Sequence, residues 1–280
     1  MAARLRLSKL GEQLARSSPA AAATPAAPAV DAHSAQFPLP STACLINNEW
    51  VTTDASHTVN AWDGTAVASV SVAGEAEVDA AVAAARAAFK DWKKMAPLER
   101  TAILMRFADL VEENAEELAQ IECLELGKPI EEARGGVAIS LLTYRYYAGW
   151  TDKFMGDLPP SGTPGFHTQV MQIPIGVCGA IVPWNYPVVE MAKIVGPCLA
   201  AGCTLVYKTN EYTPLNVLRC AELLIEAGCP PGVVNVVNGT VPTGELISNH
   251  MDIDKVFFTG SVRAGKAIAQ ACAASNLKQT

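Results

Sequence analysis

From Gly176 to the end of the chain, short apolar runs alternate with amphipathic stretches of helical period, and this alternation limits the fold more than any other feature. The apolar runs lie at 176–182, 204–208, 233–237 and 255–258. A strand that is apolar at successive positions, not at alternate ones, is buried on both faces, as happens when crossover helices cover a parallel sheet above and below. Segments at 187–201, 214–227, from about Thr243 and after Ser261 have the helical spacing that such crossovers need. The expected class is therefore α/β, a doubly wound parallel sheet. Ligands of such sheets gather at the carboxyl ends of the strands.

The first half reads as mixed. Short strands are expected at 45–51 and 66–72, around turns rich in Asn, Asp and Gly. A helix follows Gly74, because Val78, Val82, Ala85, Phe89 and Trp92 recur at three- and four-residue steps, and Glu75, Glu77 and Asp79 suit its positive end. Pro97 opens a second helix, with Ile103, Phe107 and Leu110 on one face, and Gly127-Lys128-Pro129 stops a third. A long helix is expected over 130–154, with Tyr144, Tyr147 and Trp150 as a packing stripe. The Gly/Pro-rich stretch at 156–174 predicts a hairpin arm.

Residues 1–43 differ in kind. Arg4, Arg6, Lys9 and Arg16 face a single acid, Glu12, with Leu5, Leu7, Leu10 and Leu14 between them, and an Ala/Pro/Ser/Thr tract follows. A basic, acid-poor amphipathic segment is transit-peptide chemistry, so mitochondrial import is expected, with chloroplast import or a plain disordered linker as alternatives. The formal net charge of -7 removes the basic stripe that a nucleic-acid partner requires. Eight cysteines without a C-x-x-C pair, set among Ala and Val, read as buried free thiols in a reducing compartment. The histidines at 33, 57, 167 and 250 lack a second ligand at helical spacing, so no metal site is expected. The longest apolar stretch, at 194–207, is too short to span a bilayer, and no membrane partner is expected.

Three strand ends carry polar residues, each open to two readings. Asn185, between Pro183 and Pro187, can cap the following helix, the simpler role, or offer its amide to an oxyanion. Lys208 and Glu211 can form an exposed ion pair, the reading favoured on these residues alone, or grip vicinal hydroxyls of a ribose. Gly260 and Ser261 open a helix, where Ser261 serves either as a plain cap or beside free N–H groups that receive a phosphate. The usual G-x-G-x-x-G fingerprint is absent.

Together these segments are more specific. Pro-Trp-Asn-Tyr-Pro at 183–187, Lys-Thr-Asn-Glu at 208–211, Pro-Pro-Gly-Val-Val-Asn-Val-Val at 230–237 and Phe-Thr-Gly-Ser-x-x-x-Gly at 258–265 resemble the aldehyde dehydrogenase superfamily in order and spacing. The likeness extends through 45–50, 80–92, 126–129 and 146–150, and 146–153 looks most like the retinal and mitochondrial acetaldehyde branch.

The resemblance implies a Rossmann-like cofactor domain over 44–280, NAD as cofactor, an aldehyde substrate, and homo-oligomers assembled through the arm at 156–174. It implies that Asn185 is the oxyanion-hole donor to the thiohemiacetal oxygen. Ile181, Val182, Pro183 and Trp184 would line the adenine side, Lys208 and Glu211 would bind the ribose, and Gly260 with Ser261 would meet the pyrophosphate. Gly244 and Gly265 are placed with these cofactor residues. In the family a cysteine thiolate attacks the aldehyde, hydride passes to NAD, and a glutamate activates water.

Two departures stand out. Val241 brings a branched side chain where similar enzymes often have the second Gly of Gly-x-Gly. The sequence ends at Thr280, about three residues before the family's Glu-Leu-Gly-Gly segment would begin, and none of the eight cysteines stands in the nucleophile's motif. The expectation is an amino-terminal portion, without the catalytic domain, of an NAD-dependent aldehyde-oxidising enzyme. The rivals are a non-catalytic NAD-binding subunit paired with a full-length partner, and a semialdehyde or acyl-transferring branch.

Overall fold

A computed structural model describes residues 37–280. Most of the segment read as a presequence, residues 1–36, lies outside the described residues. Packing onto the domain begins before Cys44, since the Ser41 N–H donates to Glu222 Oε1 at 2.8 Å and Ala43 is buried.

The main sheet has six strands in the order β2-β1-β7-β6-β5-β8. Its centre is formed by β5 (Val177–Ile181), β6 (Thr204–Lys208), β7 (Val234–Val237) and β8 (Lys255–Phe258), all parallel. They are joined by α5 (Pro187–Ala200), α6 (Pro214–Glu226) and α7 (Val241–Asn249), and α8 (Val262–Ala274) follows β8. The chain steps from β5 to β6 to β7, then returns through α7 to the far side of β5. That reversal places a topological switch point between β5 and β8.

Both faces of the sheet are covered, as the continuous apolar runs require. Leu205 and Tyr207 enter one core with Phe107, Tyr144 and Leu218, whereas Val206 enters the other with Val82, Ile247 and Ile268. The first core lies under α5 and α6, backed by α2 (Pro97–Glu113), α3 (Ala115–Leu126) and α4 (Ile130–Ala148). The second lies under α1 (Glu75–Trp92), α7 and α8.

The amino-terminal strands extend this sheet. β1 (Cys44–Ile46) and β2 (Glu49–Val51) form a hairpin through Asn47 and Asn48, both at positive φ, and β1 pairs antiparallel with β7. Consecutive left-handed residues suit a tight hairpin turn, and Asn tolerates them best after Gly. A separate ribbon pairs β4 (Ala66–Ser71) with β3 (Ser56–Asn60), a strand that the reading of 45–51 and 66–72 did not include.

One expected element is shorter than its pattern. The helix predicted over 130–154 stops at Ala148, where the Thr101 hydroxyl donates to the Ala148 carbonyl at 2.9 Å and meets Thr151 Oγ1 at 2.6 Å. A side chain from α2 thus takes the place of the next helical N–H. Tyr144 is fully buried edge-on to Phe107, but Trp150 stands at the surface beyond the helix. Within 156–174 the two legs touch through one antiparallel bridge, Asp157 to Val170.

The central strand should dominate stability. Leu205→Ala, at a fully buried position, should cost about 2–5 kcal/mol. Leu142→Ala, on the exposed face of α4, should stay within about 0.5 kcal/mol. Urea unfolding of the two variants checks this, and equal losses would contradict the burial assigned to β6.

Candidate functional site

The carboxyl ends of β5, β6 and β8 meet over a cleft of about 440 Å³ whose sides are α7 and α8. Ile181, Val182, Pro183 and Trp184 come from β5 and the turn after it, Lys208 and Glu211 from β6 and its loop, and Gly260 and Ser261 from the turn after β8. Residues as far as 80 positions apart in sequence are thereby gathered by the switch point. The volume is in the range of small-molecule sites.

The loop after β6 is held from several sides. Asn210 Nδ2 donates to the Val182 carbonyl at 3.5 Å, and the Thr213 hydroxyl donates to the Trp184 carbonyl at 3.2 Å. The first turn of α6 is capped from α3, because Glu125 accepts the N–H groups of Leu215 at 2.7 Å and Asn216 at 3.4 Å. Burial pushes the Glu125 carboxyl up to about 8, against the pull of those two donors.

Lys208 is buried, with Nζ donating to the carbonyls of Thr209 at 2.9 Å and Gly239 at 2.7 Å. An ammonium has three donors, so one remains for a ligand in the cleft. Burial lowers Lys208 to about 8, while the Glu211 carboxylate opposes that shift. No ion pair joins Lys208 to Glu211 among the described residues, so the exposed-pair reading of these two is corrected: the lysine is enclosed by backbone carbonyls. Gly244, on α7, lies against the lysine stem, where an added Cβ would be 3.5 Å from Lys208 Cε.

At α8 the capping role of Ser261 is observed: its Oγ accepts the Ala264 N–H at 3.3 Å. The N–H groups of Val262 and Arg263, in the same first turn, have no helical acceptor and point from the positive end of the helix. An anion is the natural partner of such a terminus.

Two expected residues stand elsewhere. Gly265 does not line the cleft. A Cβ there would come 3.1 Å from Phe258, so its place is the close packing of α8 on β8. Asn185 is exposed in the turn after β5, outside the cleft, and does not cap α5, whose N-cap is Tyr186. Its amide makes no hydrogen bond to the described residues, so the capping reading fails and the amide is left available.

Other lining residues were missed. On α7 these are Glu245, Ser248 and Asn249, beside the Val241 already singled out, and on α8 they are Ala264, Ala267, Ile268 and Ala271. Both sets follow the three- and four-residue spacing of one helix face, so the signal was present. The alanines keep the walls apart by having little side chain. Val241 is exposed at the rim, in the first turn of α7.

Comparison with known proteins decides the family. The profile of the aldehyde dehydrogenase family matches residues 50–280. The chain belongs to the aldehyde dehydrogenase family. An aldehyde dehydrogenase of Emericella nidulans is 46% identical over 240 residues, covering 84% of this chain and 48% of the relative. The mitochondrial benzaldehyde dehydrogenase of Antirrhinum majus is 44% identical over 241 residues, covering 84% of this chain and 45% of its own length. Among solved structures, the NAD+ complex of the Bacillus cereus aldehyde dehydrogenase superposes with a TM-score of 0.82 at 40% identity, covering 88% of this chain and 50% of that one. The chain therefore spans about half the length of these aldehyde dehydrogenases.

The buried ammonium of this aldehyde dehydrogenase chain has a measurable signature. Between about 8 and the ordinary 10.5 of lysine, the unfolded chain holds a proton that the folded chain has released, so Lys208 makes stability rise with pH across that window. Below about 8 both states are protonated and the full cost of burying the charge is felt. Urea unfolding at a series of pH values should show a rise that is flattened in Lys208→Met, and identical pH slopes would count against a depressed Lys208.

Proposed function

We propose that this chain is the cofactor-binding part of an NAD-dependent enzyme that oxidises an aldehyde to a carboxylic acid, with the adenosine half of NAD in the cleft between α7 and α8. The observation that carries the reading is the convergence of a spare Lys208 donor, the Glu211 carboxylate and the open amino terminus of α8 on one apolar-walled cleft. These groups fit the ligand in order. The two helix faces take the adenine, Lys208 and Glu211 take the ribose hydroxyls, and Gly260 with the first turn of α8 takes the pyrophosphate. When bound, NAD supplies the hydride acceptor. Asn185, with its unengaged amide at the end of β5, is positioned in sequence to donate to the carbonyl oxygen as negative charge develops there.

Cofactor choice rests on Glu211, because solved neighbours include both NAD+ complexes and an NADP-dependent enzyme of E. coli. Its carboxylate accepts from ribose hydroxyls and repels an added 2′-phosphate. Calorimetric titration of the 280-residue chain should show tighter binding of NAD than of NADP, and Glu211→Gln should narrow the gap. A preference for NADP, or a gap unchanged in Glu211→Gln, would overturn the assignment.

The chain alone is proposed to bind NAD without turning over aldehyde. All eight cysteines are buried, and desolvation raises the thiols of Cys44 and Cys123 to about 11 and those of Cys220 and Cys229 to about 12. None is an exposed thiolate beside Asn185. Assays of NADH formation with short aliphatic and aromatic aldehydes should give no signal above blank, and turnover lost on replacing one of these cysteines by Ser would refute the proposal.

The apolar side chains of the arm at 156–174, with Leu158, Phe166 and Met171 exposed, favour assembly with another subunit. That feature equally supports the second reading, a non-catalytic NAD-binding subunit of a full-length partner. Residues up to about 43 are proposed to direct mitochondrial import, in line with relatives named as mitochondrial in Antirrhinum majus and Arabidopsis thaliana. Amino-terminal sequencing of the mature protein should begin near residue 30 to 43, and an intact Met1 or Ala2 on organelle-free protein would exclude import.

A further inference from the structure

The end of α5 has an unusual residue pair at a standard closure. Ala201 is the C-cap, Gly202 follows at φ +82°, the Gly202 N–H donates to the Leu199 carbonyl at 3.0 Å, and the Cys203 N–H donates to the Cys198 carbonyl at 3.0 Å. These are the two hydrogen bonds of the Schellman motif, which sets the side chain two places beyond the cap against the one three places before it. In α5 both positions are cysteines, Cys203 and Cys198. The end of α6 closes in the same way, with Gly228 at φ +83° and the Cys229 N–H on the Leu224 carbonyl at 3.1 Å, but there the pair is Leu224 and Cys229.

Both thiols are buried, yet they border a void. With Cys178 of β5 they form part of the wall of a second cavity, of about 510 Å³, which Lys93, Arg100 and Lys255 also line. Arg100 is 7% exposed, one terminal nitrogen donates to the Met95 carbonyl at 2.6 Å, and its Nε has no partner. The Cys198 thiol donates to the Thr204 carbonyl at 3.7 Å. The neighbouring Cys178 and Cys198 thiols draw the Cys203 thiol below its ordinary value, and Cys178 with Cys203 pushes that of Cys198 above it. Cations and donors around one thiol are the setting in which cysteines react.

We propose that Cys198 and Cys203 are a redox-modification site that closes to a reversible disulfide when hydrogen peroxide enters the cavity beside Arg100. Cys203 sulfur attacks one peroxide oxygen, the O–O bond breaks, and the departing hydroxide takes a proton to become water, leaving a sulfenic acid on Cys203. Cys198 sulfur then attacks Cys203 sulfur, the S–O bond breaks, and a second water leaves with the Cys198 proton. Two thiols are oxidised by two electrons and one peroxide is reduced. Cys178 is the donor neighbour, not the resolving thiol. β5 pairs Cys178 with Leu205, two places along from Cys203, so Cys178 stands diagonally across the strand pair, whereas the Schellman closure sets Cys198 directly against Cys203. The bridge would tie the end of α5 to the start of β6, the two elements whose other ends carry the Asn185 turn and Lys208.

The test uses the whole chain, reduced anaerobically, given one equivalent of hydrogen peroxide and alkylated in denaturant before trypsin digestion. Cleavage after Lys193 and Lys208 puts Cys198 and Cys203 in one peptide, 194–208, and Cys178 in another, 154–193. Peptide 194–208 should lose two hydrogens and both alkylation sites about tenfold faster than any other cysteine loses its label. Dithiothreitol should restore both sites. Cys198→Ser should leave a sulfenic acid on Cys203 that dimedone traps, and Arg100→Gln should slow the reaction. A peptide 194–208 that keeps both labels while other thiols react, or a cross-link between 154–193 and 194–208, would overturn the proposal. Should a variant fail to fold, the peptide map of the unaltered chain decides alone.

Discussion

Burial of β5 between two parallel neighbours is the constraint on which the rest depends. A strand paired on both sides and covered on both faces has no room for polar side chains along its length, so Val177–Ile181 is wholly buried. Its polar neighbours are displaced to its end, where the chain leaves the sheet. Because β6 lies on one side and β8 on the other, the connections leave in opposite directions and a crevice opens above the strand ends. The cleft is thus a result of strand order.

The groups in the crevice follow from the same geometry. Lys208 closes β6 while still inside the core, so its ammonium is dehydrated and turns to two backbone carbonyls for partners. Glu211 lies three residues later, where the chain has reached solvent, and Ser261 begins a helix whose positive end faces the opening. Glu125 and Asn210 hold the intervening loop, so a carboxylate on α3, remote from the cleft, helps to fix where Glu211 stands.

The parallel core was legible because continuous apolar runs such as 177–181 and 204–208 have no other stable setting. Elements governed by contacts between distant segments were less so. The end of α4 depends on the Thr101 hydroxyl from another helix, which no pattern within 130–154 contains. β3, with Ser, His, Thr, Val and Asn, has little apolar signature and forms because β4 offers a partner. At the site, strand-end residues were found by position, whereas the alanine face of α8 looked like ordinary helix surface until α7 stood opposite it. The resemblance to a family placed Gly265 with the cofactor residues, but the packing of Phe258 shows what it does here.

The central claim is that NAD occupies the cleft between α7 and α8, and hydrogen–deuterium exchange of the 280-residue chain with and without NAD tests it most directly. Backbone amides in a ligand's contact region slow their exchange when the ligand binds. The account requires protection concentrated at 208–211, at 240–249 and above all at 259–265, where the first-turn N–H groups of α8 would be covered. Protection absent from those three segments at saturating NAD, or confined to the cavity beside Arg100, would contradict it.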